Sequence, residues 1–207
     1  MKKYTNIIFD VDGTLIDSRA SIIRSLKKAL NVSDGSENNI NFEEIMGITD
    51  RDAAIKLGIK DIDDFLEKWK EELSSYDGTY QLFSGMRETL VLLKEYGYKL
   101  GIITSMPGIS LRSIFSNMHI YNLFDTIVTS DMTKAHKPSP EPMYKYMELS
   151  NTCQDELIYI GDSYSDCNCA LNSGVDFIEA TWGSGGYMES LFDVEKPTDL
   201  IEIFKPQ

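Results

Sequence analysis

Five short apolar runs along the chain predict the buried strands of a parallel sheet. They are NIIF, KLGIIT, TIVT, LIYI and DFIEA, and each of the first four continues directly into small or polar residues. Between these runs, apolar residues recur every three or four positions, as on one face of an amphipathic helix. The alternation of strands and helices predicts an α/β fold with a doubly wound sheet and helices on both faces.

Residues that favour the start or the end of a helix bound two of these helical patterns. Pro142 suits the first turn of a helix, and Gly97 is expected to end one. The segments that we predict to be helical are 18–30, 62–73, 85–96, 111–118 and 142–147.

The interval between the first two predicted strands is about 90 residues long, far more than an ordinary crossover needs. It contains helical patterns and no convincing strand. We therefore predict a helical cap domain over residues 17–81, inserted into an α/β core of residues 1–16 and 82–207. Ligands bind at the carboxyl end of the strands in open α/β sheets, so an insertion after the first strand can act as a lid.

Composition limits the partners of the chain. With 207 residues, of which 42% are hydrophobic, it can build one core domain with a smaller insertion. A net charge of −13 argues against nucleic acid and anionic membranes as partners. The chain has no apolar run long enough for a membrane span or a signal peptide, so we expect a cytoplasmic protein. The spacing of Cys167 and Cys169 fits no zinc or redox motif, which predicts reduced cysteines on a helix.

Two acids stand where the first strand ends. Asp10 and Asp12 are two residues apart, and in an extended chain such side chains point the same way. Gly13 then permits a sharp turn, and Thr14 can satisfy backbone groups there. Turn chemistry alone would explain Asp12 and Gly13. It does not explain Asp10, because an acid at the end of a buried strand needs an opposite charge.

Polar residues also follow three other predicted strands. They are Thr104 and Ser105, Lys137 or Lys134, and Asp162 and Asp166. Separately, these residues can be explained as a helix cap, a solvated lysine, and a cap with a solvent-facing acid. Together at one sheet edge, carboxylates suit Mg²⁺, and hydroxyls with a lysine suit a phosphoryl group. A carboxylate in line with phosphorus can then act as a nucleophile.

The segments DVDGTLIDS, IITS, KPSPEP and GDSYSD resemble the four motifs of the haloacid dehalogenase superfamily, in the same order. The resemblance spans nearly the whole chain, and the insertion is similar to the cap of the first subclass. It implies a Rossmann-like sheet of strand order 5-4-1-2-3 and an Mg²⁺-dependent phosphatase that forms an aspartyl-phosphate. We expect a small phosphorylated metabolite as substrate, and a monomer or a small homo-oligomer.

The resemblance also implies a role for each motif residue. Asp10 would be the nucleophile, and Asp12 would protonate the leaving oxygen and then activate water. The phosphoryl group would be bound by Thr104, Ser105 and Lys137. The residues implied for Mg²⁺ are Asp10, Asp12 through its backbone carbonyl, Asp162, and Asp166, the last either directly or through water.

The substrate is less well defined. The region after the fourth strand is similar to phosphoglycolate phosphatases and related pyrophosphatases, which carry a comparable Trp-Gly turn. A sugar-phosphate phosphatase or a phosphoglucomutase is the alternative within the family, although the histidine of the mutase branch is replaced here by Ile22. A phospho-receiver signalling domain is the alternative outside enzymes. Such domains form one compact unit of about 120 residues and lack a large insertion.

Substrate specificity is expected to reside in the predicted cap. Residues 31–78 contain 13 Asp and Glu against 5 Lys and Arg, so this region offers an anionic substrate no general attraction. Arg51 is the only arginine in that interval. We predict that it binds a carboxylate or second phosphate of the substrate; the alternative is a surface ion pair with Asp50 or Asp52.

Overall fold

The computed structural model describes residues 4–32, 40–75, 80–184, 188–192 and 194–206. Its centre is a five-stranded sheet in which every paired neighbour is parallel. The strands follow the order β3-β2-β1-β4-β5, which confirms the predicted order. Their bounds are β1 Asn6–Phe9, β2 Lys99–Ile103, β3 Thr126–Val128, β4 Leu157–Gly161 and β5 Asp176–Glu179.

The helices of the described segments include all five that were predicted. None of them is both long and apolar enough to cross a bilayer. Their bounds are α1 Arg19–Ala29, α2 Asp50–Lys56, α3 Ile62–Ser74, α4 Met86–Glu95, α5 Gly108–Met118, α6 Glu141–Ser150, α7 Tyr164–Ser173, α8 Thr181–Ser184 and α9 Asp199–Phe204.

Two layers of helices cover the sheet. Ile7 and Phe9 of β1 contribute to one apolar cluster, with side chains of α4, α5 and α9. Ile8, between them, contributes to a second cluster with side chains of α6 and α7. Successive side chains of a strand point to opposite faces, so a strand covered on both faces must be apolar throughout. This is why the strands read as continuous apolar runs, and why Cys167 and Cys169 are buried on α7 as small core residues.

Helices α1, α2 and α3 have an apolar cluster of their own. Leu26, Phe65 and Trp69 are among its buried side chains, and the Trp69 indole N–H donates to Ser25 Oγ at 3.0 Å. The amphipathic faces of α1 and α3 therefore pack on each other. Division of the chain into a core and a cap at residues 17–81 stays a prediction.

Candidate active site

The candidate site lies at the carboxyl edge of the sheet, around the end of β1. β1 pairs with β2 on one side and with β4 on the other, and the chain crosses from β3 to β4 to build the second half of the sheet. Ligands bind at such a switch point in doubly wound sheets. Asp10 directly follows β1, and its backbone N–H donates to the Ile160 carbonyl of β4 at 2.9 Å. Asp162 directly follows β4, so the sheet itself brings these two acids to one edge.

A buried lysine links two of the acids. Lys137 Nζ donates to Asp10 Oδ1 at 2.8 Å and to Asp166 Oδ1 at 2.6 Å. The three residues are 3%, 2% and 0% exposed, respectively. Burial alone would lower the pKa of Lys137, but the two carboxylates raise it well above its ordinary value. Lys137 therefore stays charged and supplies the opposite charge that a buried Asp10 requires.

Three carboxylates converge beside this lysine. Asp10, Asp162 and Asp166 each offer an oxygen atom, and these oxygens lie within 4.8 Å of one another. Burial and the neighbouring Asp166 raise the pKa of Asp162 to about 8. Burial and Asp166 also raise the pKa of Asp10, against the opposing effect of Lys137. The cluster therefore holds more acid than one lysine can neutralise, and its all-oxygen donor set fits Mg²⁺.

Hydrogen bonds to both of its carboxylate oxygens fix the side chain of Asp166. Ser163 precedes α7, and its backbone N–H and its hydroxyl donate to Asp166 Oδ2 at 3.1 and 2.5 Å. The other carboxylate oxygen of Asp166 accepts the hydrogen bond from Lys137. Asp166 thus closes the first turn of the helix and also contacts the site. Asp166 is buried, so the alternative interpretation as a solvent-facing acid is wrong.

Asp12 lies next to the cluster without joining it. Burial raises the pKa of Asp12, while the Ser18 hydroxyl lowers it. The charge of Lys137 also lowers the pKa of Asp12, and the charge of Asp166 raises it. Within the described segments, the close carboxylate cluster comprises the other three acids and leaves Asp12 to one side.

The turn after Asp12 packs tightly against Asp162. Gly13 has a φ of +78°, and a Cβ atom there would lie 2.1 Å from Asp162 Oδ2. Only glycine lets the backbone turn this close to the carboxylate. Thr14 Oγ1 donates to Asp162 Oδ1 at 3.1 Å. The sequence predicted a hydrogen bond to local backbone groups, whereas the hydroxyl binds a carboxylate of the site.

The two hydroxyl residues after β2 point to different partners. Thr104 is buried at the carboxyl edge, and its Oγ1 accepts a hydrogen bond from the Met106 backbone N–H at 3.1 Å. Ser105 Oγ donates to the carbonyl of Gly47, in the segment between β1 and β2, at 2.8 Å. Binding of substrate by Thr104 and Ser105 stays a prediction.

Sequence reasoning did not single out Tyr159, whose hydroxyl lies 2.7 Å from Asp166 Oδ1 and 3.3 Å from Lys137 Nζ. A usable signal was present, because a tyrosine within a fully buried strand needs a partner for its O–H. The Trp-Gly turn packs against the turn that follows Asp12. Trp182 Nε1 donates to the Thr14 carbonyl at 2.9 Å, and a Cβ atom on Gly183 would lie 1.8 Å from the Gly13 carbonyl oxygen.

The remaining basic candidates lie at the surface. Lys134, the alternative to Lys137, is exposed. The Arg51 guanidinium pairs with Asp63 of α3 at 2.5 Å, and both side chains are more than half exposed. This ion pair has a different partner from the two that the sequence suggested. Contact between Arg51 and substrate stays a prediction.

The predicted role of Arg51 requires that Arg51→Ala raise KM for the best substrate by about tenfold or more, the effect of losing a charged hydrogen bond. Asp63→Asn is the matched control, because it breaks the same ion pair and keeps the guanidinium. Steady-state kinetics of both variants provide the measurement. Unchanged KM and kcat in Arg51→Ala would remove Arg51 from the site.

The sheet and the site together define a doubly wound α/β protein with a buried, acidic, lysine-containing site at the carboxyl edge. Residues 7–180 match the haloacid dehalogenase-like hydrolase family. The chain belongs to that family and is a hydrolase, which confirms the predicted resemblance and the predicted enzyme class.

Similar proteins agree with this assignment over almost the full length. The chain is 27% identical over 210 positions to the pyrophosphatase PpaX of Bacillus mycoides, with 97% of each chain covered. A Bacteroides fragilis protein, provisionally named a haloacid dehalogenase-like hydrolase, is 30% identical with a TM-score of 0.77, over 87% of this chain and 89% of that one. A Lactobacillus plantarum structure, provisionally named a phosphoglycolate phosphatase, has a TM-score of 0.84 at 24% identity, over 97% and 99%. The last likeness shows the fold.

Proposed function

We propose that this protein is an Mg²⁺-dependent phosphatase that hydrolyses a small phosphate monoester through an aspartyl-phosphate, in the manner of a phosphoglycolate phosphatase. The observation that carries the proposal is the buried group of Lys137, Asp10 and Asp166, with Asp162 beside it. A carboxylate held against an ammonium at a ligand-binding sheet edge is suited to receive a phosphoryl group, because the ammonium offsets the charge of the incoming phosphate.

In this proposal Asp10 attacks phosphorus and the ester bond breaks. Asp12 donates its proton to the leaving oxygen, which its raised pKa favours. Asp12 then accepts a proton from water, whose oxygen attacks phosphorus and breaks the bond to Asp10. Inorganic phosphate leaves and the Asp10 carboxylate is restored. Throughout, Lys137 Nζ and the Thr104 hydroxyl bind the phosphoryl oxygens.

The residues proposed to hold Mg²⁺ are Asp10, the backbone carbonyl of Asp12, and Asp162, with Asp166 acting directly or through water. When bound, the ion would neutralise charge on the phosphoryl group and on the carboxylates. The contacts of Asp162 support this arrangement. Thr14 Oγ1 donates to one oxygen of its carboxylate, and the backbone of Gly13 packs against the same group.

Pyrophosphate is the second candidate substrate, because the full-length relatives are named pyrophosphatases. A panel of phosphoglycolate, pyrophosphate, nucleoside monophosphates and sugar phosphates, followed by phosphate release, distinguishes the candidates. Sustained turnover of p-nitrophenyl phosphate would exclude a phospho-receiver domain, which accepts a phosphoryl group and holds it. If no ester in the panel is turned over, the proposed function is wrong.

Removal of divalent cations is expected to stop turnover on every active ester of the panel. Without the ion, no cation at this group of acids neutralises the negative charge of the transferring phosphoryl group. The measurement is phosphate release after treatment with EDTA and after adding Mg²⁺ back, with Ca²⁺ as a matched control that prefers longer bonds and more ligands. Activity that persists in the chelator would contradict the proposed cofactor.

A further inference from the structure

The short helix α8, which follows β5, is anchored to the rest of the protein at both ends. Ser184 Oγ, in its last residue, donates to Glu179 Oε1 at 2.6 Å, and Glu179 is buried. The hydroxyl of Thr181, its first residue, donates to the Val194 carbonyl. Between them, Trp182 packs against the apolar cluster of β1, α4, α5 and α9. Helix α8 is therefore fixed relative to the sheet.

Helix α8 contacts the turn between β1 and α1. Trp182 Nε1 donates to the Thr14 carbonyl at 2.9 Å. A Cβ atom on Gly183 would lie 1.8 Å from the Gly13 carbonyl oxygen and 3.1 Å from Asp162 Cβ. The backbone of Gly183 is therefore packed against both the turn and the acid that follows β4, and a larger residue would push them away.

The same turn is connected to two of the groups proposed to hold Mg²⁺. Thr14, whose carbonyl accepts from the indole, donates its own hydroxyl to Asp162 Oδ1 at 3.1 Å. The Asp12 carbonyl immediately precedes Gly13 in the chain. Two hydrogen bonds in series thus join the Trp182 indole to the Asp162 carboxylate through one residue. A displacement of Thr14 would move the hydroxyl that binds this carboxylate and the backbone beside the Asp12 carbonyl.

We propose that Trp182 is a positioning residue for Mg²⁺, because it fixes the turn that orients Asp162 and contains the Asp12 carbonyl. The inference rests on the proposed function, which assigns Mg²⁺ to these groups. Trp182 acts through Thr14, as the partner of a residue that orients a metal ligand. Such partners contribute to metal affinity, because a ligand that is already oriented loses less freedom when the ion binds.

Trp182→Phe retains most of the packing of the ring and removes the N–H donor to Thr14. We expect the dissociation constant of Mg²⁺, measured by isothermal titration calorimetry, to rise by about tenfold, the lower end of the effect of losing a residue that orients metal ligands. The Mg²⁺ concentration for half-maximal turnover should rise by the same factor, while kcat at saturating Mg²⁺ is retained. A general loss of folded protein would instead lower kcat and leave both Mg²⁺ values unchanged.

Trp69→Phe is the matched control, because the Trp69 indole N–H donates to Ser25 Oγ at 3.0 Å in the apolar cluster of α1, α2 and α3. It removes an equivalent hydrogen bond, and its Mg²⁺ dissociation constant should equal that of the unmodified protein. Gly183→Ala is the second variant, because it keeps the indole donor and directs a methyl group against the Gly13 carbonyl. It should also weaken Mg²⁺ binding.

An unchanged Mg²⁺ dissociation constant in Trp182→Phe would overturn the role of Trp182, as would an equal increase in Trp69→Phe. If Trp182→Phe does not fold, an unchanged constant in Gly183→Ala overturns the role instead. In each of these cases, turnover by the unmodified protein still supports the phosphatase. If the unmodified protein binds no Mg²⁺, the proposed cofactor and this inference are both wrong. If it also releases no phosphate from any ester of the panel, the proposed function is wrong as well.

Discussion

Asp10→Asn is expected to lower phosphate release from every ester by about 10⁴-fold or more, the scale of losing a catalytic nucleophile. The amide has no negative charge with which to attack phosphorus. Asparagine keeps the size of the side chain and an oxygen that can accept from Lys137 Nζ, which lies 2.8 Å from Asp10 Oδ1. The fold should therefore persist, and the circular dichroism spectrum should match that of the unmodified protein.

Asp17→Asn is the control for this variant, because Asp17 is an exposed acid in the same motif, outside the buried cluster. Its kcat should be unchanged. Rapid acid quenching during turnover, followed by peptide mass spectrometry, should show a phosphoryl adduct on the peptide that contains Asp10. An adduct on another residue would contradict the proposed nucleophile, as would an Asp10→Asn variant that keeps more than about 1% of the activity.

The strands and the acids at their ends could be predicted because burial constrains them strongly. A strand covered by helices on both faces must be apolar, and it must stop where polar side chains begin. Asp10 and Asp162 follow β1 and β4 for that reason, and parallel pairing then brings them to one edge. The strand order came from the resemblance, because apolar runs alone do not specify which strands are neighbours.

Other features were not predicted, either because the sequence signal is too short or because the contacting residues are distant in the chain. Helix α2 has seven residues, too few to establish a helical period in the sequence. The hydroxyl of Ser105 donates to the carbonyl of Gly47, in the segment between β1 and β2, a partner that no local pattern around either residue indicates. Asp166 could be interpreted as a solvent-facing acid or as a site residue; it is buried, and it contacts both Ser163 at the start of α7 and Lys137.

Lys137→Met is expected to lower the free energy of unfolding by about 3 kcal/mol or more, the cost of breaking a buried ion pair, and to remove most of the activity. Methionine retains much of the apolar stem, so the main change is the loss of the ammonium group. Asp10 and Asp166 would then be buried without the charge that both of them contact now. Lys134→Met is the matched control, because Lys134 is exposed on the same loop. We expect it to change stability by less than about 0.5 kcal/mol.

The pH dependence of this loss separates charge from packing. Lys137 lowers the pKa of Asp10, so its removal raises that pKa further above the value in the unfolded chain. An acid with a raised pKa in the folded state binds more protons there, and its ionisation destabilises the fold as pH rises from about 4. Urea denaturation should therefore show a deficit for Lys137→Met that is large near neutral pH and shrinks as pH falls, because protonated Asp10 needs no counter-charge. A deficit independent of pH would assign the effect to packing and contradict the role of Lys137 as the counter-charge of this site.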